Sequence, residues 1–482
     1  MTRLLFDSSA TETTAWDLLP MRFHALAGDK VVVTNLVGEH YVLPRSELDA
    51  VVDHTNPSAQ TLAALRARHM IRTDNEGMPL ELLAMKLRTR MRRLTEMTSL
   101  HLFVVTLRCE HTCRYCQVSR QSTARDEFDM SRETAAAALD HVFASPSHAL
   151  KIEFQGGESL LNFDLIRWVV ERAEERNQVE GRDLAFVIAT NLALVDEEIL
   201  DFCAEHQISL STSLDGPEAL HNHNRRRPGQ DSWRKAVDGI RMVQDRLGAP
   251  YVSALMTTTD ASLDQPEAII DSYVDLGLSS IFLRPVSPYG FATRLRGGGR
   301  YNAERWLDFY RRGLAHIIEL NRSGIDMVEV YAAIIAKKMH TNDDPGYVDL
   351  TSPAGIGIGG IVYNYDGAIY ASDEGRMLAE MGDETFRLGD VTQPWSAILS
   401  SPKLLGPLWD SYTLSSPACE SCAFESWCGS DPTYHHATAG DFVGHKTFSE
   451  FCARNTGVFT HLIELAEADP FARDLLWRWG NR

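Results

Sequence analysis

Cys109, Cys113 and Cys116 are spaced CxxxCxxC and follow directly on an apolar run, His101-Leu102-Phe103-Val104-Val105-Thr106-Leu107. Three thiolates on one short loop can hold three irons of a 4Fe–4S cube, whose irons are normally ligated by four cysteines. The fourth iron is then open to a small molecule. Tyr115, immediately before the last cysteine, offers an aromatic face to a flat adenine ring. Zinc is the competing metal, but zinc sites favour CxxC pairs or Cys/His pairs, and His111 alone is poorly spaced for that. Three unligated buried thiols in one loop would be the bland alternative, and packing gives no reason for such a cluster.

A second group lies near the other end. Cys419, Cys422 and Cys428 are spaced CxxCxxxxxC, and Cys452 follows. Four cysteines can ligate a cluster completely, with a four-cysteine zinc site as the alternative on spacing alone.

The elements around the first group alternate between strand and helix. Strands are predicted at 101–107, 150–154, 184–189, 208–213, 250–257 and 279–284, and helices at 131–144, 162–177, 195–206, 232–247 and 264–276. This order implies a parallel sheet with crossover helices, in an open six-unit α/β barrel whose active site lies at the carboxyl ends of the strands. Candidate binding residues fall at those ends. Gly156, Gly157 and Glu158 follow the second strand, and paired glycines let a backbone approach a ligand closely. Asn191 ends the third strand beside Thr190. Ser213, with Ser211 and Asp215, ends the fourth. Small polar groups there suit a ribose and a carboxylate, although Asp-Gly-Pro is also a turn signal by itself. Arg284, ending the sixth, can pair with a substrate carboxylate or with a neighbouring acid.

Residues 20–75 read as a small α+β, winged-helix-like module, with strands at 30–35 and 40–44 and helices at 46–53 and 59–70. The expected division is an N-terminal module over 1–78, a connecting helix over 79–99 and the barrel over 100–300. A helical bridge over 301–345 and a cluster-bearing domain over 346–482 complete it. The stretch 287–300 reads as a flexible, basic loop, with a substrate lid as the functional alternative.

Composition excludes several classes. A chain of 482 residues with 44% apolar residues is globular and multidomain. Its formal charge of −19 argues against a nucleic-acid partner. No apolar run reaches membrane-spanning length, and the opening MTRLLFDSSATETTAW is too short and polar for a signal peptide, so a cytoplasmic location is expected. Eight cysteines are too few for a disulfide framework at this length and suggest metal in a reducing compartment.

At CRYCQVSR and FQGGESLLNF the chain resembles the radical SAM superfamily. The resemblance implies that the open iron binds the amino and carboxylate groups of S-adenosylmethionine, with Gly156, Gly157 and Glu158 near the amino group. It also implies reductive cleavage of the sulfonium and hydrogen abstraction from an unactivated substrate carbon. The tail resembles the SPASM domain, which often holds two auxiliary clusters. Here Ser372, after Gly367-Ala368-Ile369-Tyr370-Ala371, and Pro432, after Gly429-Ser430-Asp431, stand where ligands of the first are expected. One auxiliary 4Fe–4S cluster is therefore implied, held by Cys419, Cys422, Cys428 and Cys452. Asp373, beside Ser372, is by the same resemblance a candidate general base, with a turn residue as the alternative.

The N-terminal Met21-Arg22-Phe23-His24 and VVVTNLVGEHYVLP and the tail YNYDGAIYASDEGRM resemble the His-Xaa-Ser system radical SAM maturases, B type. That implies modification of a ribosomally made precursor peptide whose leader docks on the N-terminal module, with a plain structural cap as the alternative role of that module. A flavodoxin- or ferredoxin-type electron donor and a sister radical SAM maturase are the further partners implied. Two alternatives stay open. One is a sulfatase-type maturase oxidising a Cys or Ser of another protein; the other is a non-catalytic partner presenting the peptide to a sister enzyme.

Overall fold

The N-terminal residues form five strands: β1 (Trp16–Leu18), β2 (Met21–Leu26), β3 (Lys30–Asn35), β4 (His40–Pro44) and β5 (Ile71–Thr73). Strands β2, β3 and β4 make an antiparallel sheet in that order, and β1 pairs antiparallel with β5. Helices α1 (Arg45–Val52) and α2 (Ala59–Ala67) follow the pattern expected from the sequence, while α3 (Met78–Arg90) ends short of the connecting helix expected over 79–99 and is followed by a 3-10 turn at Arg92–Thr95. Ser58 caps α2 by accepting the Thr61 N–H. Val31, Val33, Leu43, Val51, Leu65 and Ile71 close the core, and Trp16 Nε1 donates to Val51 O at 3.1 Å.

The computed structural model describes residues 16–73, 77–294 and 301–482, in two units. One unit comprises residues 1–91 with 421–426, the other 92–420 with 427–482. Strand β2 is absent from the sequence reading because its inward positions are polar. Arg22 pairs with Glu425 at 3.2 Å, and His24 lies against Phe424 with ring centroids 4.6 Å apart. Phe23 points outward and is 53% exposed, so the alternation is inverted.

In the second unit Leu100–Thr106 (β6) is buried at nearly every position, as a strand covered on both faces must be. Strands β7 (Ala149–Gly156), β8 (Asp183–Ala189), β9 (Ser209–Ser213) and β10 (Val252–Leu255) lie parallel to it in sequence order. The crossovers are α4 (Arg132–Ala144), α5 (Phe163–Glu180), α6 (Glu197–Glu205), then α7 (Glu218–Asn224) with α8 (Ser232–Leu247). After α9 (Pro266–Val274) the sixth strand is only two residues long, β11 (Ser280–Ile281). It pairs with β12 (Val328–Glu329), and an isolated parallel bridge from Thr258 to Pro285 continues from β10. Helices α10 (Ala303–Arg322) and α11 (Val330–His340) flank β12.

The sheet also grows from the other side of β6. Strand β13 (Gly360–Tyr363) joins β6 in parallel, and β14 (Ala368–Tyr370) and β15 (Arg387–Asp390) continue antiparallel. An Asp366-Gly367 turn, with Gly367 at φ +88°, joins β13 to β14. The remaining helices are α12 (Asp373–Ala379), α13 (Trp395–Leu399), α14 (Pro402–Asp410), α15 (Pro432–Ala439), α16 (Glu450–Ala468) and α17 (Pro470–Gly480). The α/β architecture expected from strand and helix order is thus present, and the carboxyl ends of β6 to β10 face one cavity.

Candidate active site

Leu107 to Gln121 leave the end of β6 as a loop closed on itself. The Cys109 N–H donates to Gln121 O at 3.1 Å and the Gln121 N–H to Leu107 O at 2.6 Å. The far side is tied to the end of α7 and the residues after it, where the Thr112 N–H donates to Arg226 O (2.6 Å) and the Arg114 N–H to Asn224 O (2.9 Å). Cys109, Cys113 and Cys116 therefore border a single cavity of ≈240 Å³. Tyr115, Gly156, Gly157, Asn191, Ser213, Arg284 and Asp373 line the same cavity. Of the cofactor-binding residues expected from the sequence, only Glu158 stands outside it.

The thiols fit an iron–sulfur cluster. Burial pushes the Cys109 thiol up and Cys113 up to about 12, so thiolates here require a cation against them. His111 does not complete a zinc set. Although Cys109, Glu110 and His111 bring ligand atoms within 4.8 Å of one another, both His111 nitrogens are engaged. Its Nδ1 lies 2.8 Å from Glu110 Oε1 and its Nε2 2.8 Å from Ser232 Oγ.

A buried relay sets the proton positions. His221 is held neutral, lowered to about 3 by burial, and its Nδ1 accepts the Asp215 N–H at 3.3 Å. Its Nε2–H must then donate to Ser232 Oγ (3.0 Å), Ser232 to His111 Nε2, and His111 Nδ1–H to Glu110. Asn191 Nδ2 donates to the same Glu110 oxygen at 2.9 Å. The residues beside Cys109 are thus anchored to the third strand and to α8 at once.

Tyr115 is fixed at both ends of its ring system. Its hydroxyl donates to Asp215, 2.8 and 2.9 Å from the two carboxylate oxygens, and the Arg225 guanidinium lies 5.3 Å from the ring centroid. Arg225 in turn donates from Nε to Asp215 at 3.2 Å, and although burial opposes its charge, Asp215 raises its pKa. Asp215 is fully buried and also accepts from Asn224 Nδ2 at 3.1 Å. In the sequence Arg225 is marked only by the run Asn224-Arg225-Arg226-Arg227 after the Asp-Gly-Pro turn, which does not single it out.

The paired glycines serve strand packing as well as access. A Cβ on Gly156 would sit 2.0 Å from Thr106 O, and one on Gly157 would sit 2.3 Å from Arg108 O. The Gly157 N–H donates to Thr106 O (2.9 Å) and the Glu158 N–H to Arg108 O (2.7 Å), so β7 grips the root of the cysteine loop.

Glu158 is 1% exposed and works behind the cavity wall. Its carboxylate accepts from Thr190 Oγ1 (2.6 Å), the Asn191 N–H (2.8 Å) and the Leu160 N–H (3.1 Å). Burial, reinforced by the Glu110 charge and opposed by these donors, raises its carboxyl from 4.5 to about 7. Between those values the unfolded chain ionises while the folded chain keeps its proton, so stability falls as pH rises through that window. Urea titrations of Glu158→Gln are expected to show a flatter fall over it, at a fixed loss of about 1–3 kcal/mol for the missing acceptor.

The segment after β11 is folded against the cysteine loop. The Phe291 N–H donates to Cys116 O at 2.8 Å, and Gly290, at φ +58°, leaves no room for a Cβ beside Gln117 O. Of the loop expected over 287–300, residues 295–300 lie outside the described residues.

In the tail, Cys452 sits in the first turn of α16, and Asn455, one turn on, donates to Cys428 Sγ at 3.8 Å. Cys428 therefore lies beside the face that carries Cys452. The Cys419 N–H donates to Ser416 O at 3.1 Å, and Cys422 belongs to the segment 421–426 described with the first unit. The two positions lacking thiols are helix starts. Ser372 is the N-cap of α12, its hydroxyl accepting the Gly375 N–H at 3.1 Å. Pro432 is the first residue of α15, capped by Asp431, which accepts the Tyr434 N–H at 2.9 Å. Ser372→Ala is expected to remove about 1 kcal/mol of stability and to leave the iron content unchanged in an iron assay.

Residues 103–272 match the family profile of the Radical SAM superfamily. The chain carries a radical SAM domain. It is similar to the serine-type anaerobic sulfatase-maturating enzyme of Klebsiella aerogenes, 24% identical over 372 residues, 76% of this chain and 85% of that one. A shorter match, 27% identical, spans 38% of this chain and 61% of an uncharacterized protein of Methanocaldococcus jannaschii. The fold is similar to that of native anSMEcpe with bound AdoMet, with a TM-score of 0.64 at 15% identity over 80% of this chain and 99% of that one. It is also similar to Streptococcus suis SuiB bound to precursor peptide SuiA, with a TM-score of 0.51 at 11% identity over 86% and 95% of the two chains. The α/β fold is thus shared with these two structures. Among the described residues no helix is long and apolar enough to cross a membrane.

Proposed function

We propose that this radical SAM enzyme modifies a ribosomally made peptide, with precursors of the His-Xaa-Ser type as the first candidates. The observation that carries the reading is the single cavity bordered by Cys109, Cys113, Cys116, Gly156, Gly157 and Ser213 at the ends of the parallel strands. Cys109, Cys113 and Cys116 would hold the 4Fe–4S cluster, and the strand ends would hold S-adenosylmethionine. Bound there, the pair supplies the one-electron chemistry that opens a sulfonium and allows hydrogen to be taken from an unactivated carbon.

The chain's own residues position that chemistry. Asp215 and Arg225 fix Tyr115 so that its ring forms a rigid wall beside the cysteines. Glu158 orders Thr190 and Asn191, and through Asn191 the turn carrying Glu110. Arg284 offers a guanidinium to a substrate or cofactor carboxylate. Asp373 lines the same cavity, with one carboxylate oxygen 3.1 Å from Arg376 Nε, and is the candidate base for a proton released on the substrate.

Peptide modification is supported by likeness to maturases of that class and by the three-stranded N-terminal sheet. Strand β3 is central there, so β2 and β4 are the edges to which a leader strand could add. The cysteines at 419, 422, 428 and 452 would hold one auxiliary cluster, for structure or electron transfer, and a flavodoxin- or ferredoxin-type protein would deliver the electron.

The test is incubation of the reconstituted full chain with reductant, S-adenosylmethionine and a peptide carrying His-Xaa-Ser repeats. Deoxyadenosine release together with a mass change on that peptide supports the reading. Deoxyadenosine release with a mass change only on a Cys or Ser of a sulfatase-derived peptide favours the sulfatase-type alternative.

A further inference from the structure

Arg284 is a wall shared between the cavity at the cysteine loop and a smaller neighbouring one of ≈50 Å³. This one in turn shares Val286, Ser287, Trp306, Tyr434 and Arg454 with a third, of ≈370 Å³. The three are neighbours, ordered from the thiols outward by the residues they share. Phe448, which is 80% exposed, lines the outermost.

The middle cavity is acidic where radical chemistry needs no acid. Asp349, Glu374 and Asp431 line it, and Asp373 stands next to Glu374 on the wall facing the cysteines. Against these four carboxylates stand the guanidiniums of Arg284 and Arg454. Burial first, and then repulsion from neighbouring carboxylates, holds Glu374 and Asp431 above the ordinary range. Two side chains lining the cavity have polar atoms without a partner among the described residues, the Tyr289 hydroxyl and Trp306 Nε1. Each of these residues is 1% exposed. A buried donor left unpaired is costly, and a ligand that pairs it removes that cost.

The chemistry of this pocket selects its occupant. Carboxylates and a phenol oxygen complement an ammonium group, and the indole N–H complements a peptide carbonyl beside it. A bare divalent ion fits less well. Among the described residues the only group of three potential ligands with atoms within 4.8 Å of one another is Cys109, Glu110 and His111, so these carboxylates do not converge tightly enough. We propose that the cavity between Arg284 and Trp306 binds a lysine-type ammonium side chain of the peptide substrate, placing the residue to be modified at the cysteine-lined cavity. This rests on the peptide-modifying reading and adds a specificity residue set to it: Glu374, Asp431, Asp349 and Tyr289.

The test measures equilibrium binding by NMR titration of the full chain, without turnover. The probes are Nα-acetyl-lysinamide and its uncharged counterpart Nα-acetyl-norleucinamide. The lysine probe is expected to bind at least tenfold more tightly, and Glu374→Gln to weaken it about tenfold. Tyr289→Phe removes one oxygen at constant shape and should weaken it several-fold, which keeps the test available if Glu374→Gln folds poorly. Equal binding of the two probes, no binding of either, or unchanged affinity in both variants would overturn the proposal. Because no deoxyadenosine is read, this failure is distinct from failure of the peptide-modifying reading, which shows as absent peptide-dependent mass change.

Discussion

Replacing Cys109, Cys113 and Cys116 together with alanine is expected to abolish deoxyadenosine formation from S-adenosylmethionine. The three thiols border one cavity on one loop, and two of them are buried. Among the described residues, the nearby His111 has both nitrogens engaged and cannot substitute for a lost thiolate. The variant should lose about four irons relative to the parent and keep about four in the C-terminal site, because each cube holds four. Anaerobic iron and sulfide analysis reads this directly. Total loss of iron would show that the C-terminal cysteines hold no cluster of their own. About twelve irons in the parent would show that Ser372 or Pro432 stands beside a third cluster held by other ligands. Deoxyadenosine release by the triple variant would remove the loop from the reaction altogether.

The second large effect is expected from a single methyl group. In Gly157→Ala the added Cβ would lie 2.3 Å from Arg108 O and 2.5 Å from Leu107 O. Both are backbone atoms at the root of the cysteine loop, so relief requires moving the loop and not a flexible side chain. A loss of about 1–3 kcal/mol is expected, as for other overpacking changes. The loop that moves carries Cys109, so S-adenosylmethionine binding and iron retention should fall with it. Gly406→Ala is the control. It lies within α14 with no atom beyond its chain neighbours within 4 Å of its added Cβ; Pro407 follows it, so a local cost of up to about 1 kcal/mol is expected with cofactor binding unchanged. Thermal melts and cofactor titration of the two variants separate a local clash at the site from a general intolerance of alanine.

Much of the barrel was legible because its physical signals are local. The run through Thr106 is apolar on both faces, and Asp196 and Ser131 mark helix starts by accepting backbone N–H groups. Cysteine spacing places three thiols on one turn irrespective of what surrounds them. Ser372 and Pro432 read from the sequence only as positions without a thiol; that both start helices is a finding of the structure.

Tertiary structure decided what depends on partners distant in sequence. The polar inward face of β2 is explained by residues 421–426, nearly four hundred positions away, so local alternation could not reveal that strand. That the Gly156-Gly157 pair also lets β7 pack on the backbone of residues 106–108 is visible only in the folded chain. Glu158 reads as a binding residue until its three donors are found behind the wall. Arg225, Asp215 and Tyr115 are separated by up to 110 positions, and only the return of β9 beside the cysteine loop makes them one unit. Sequence by itself determined which residue types sit at strand ends. Long-range packing determined which of them face the cavity, because burial and hydrogen-bond partners are properties of the folded chain and not of spacing.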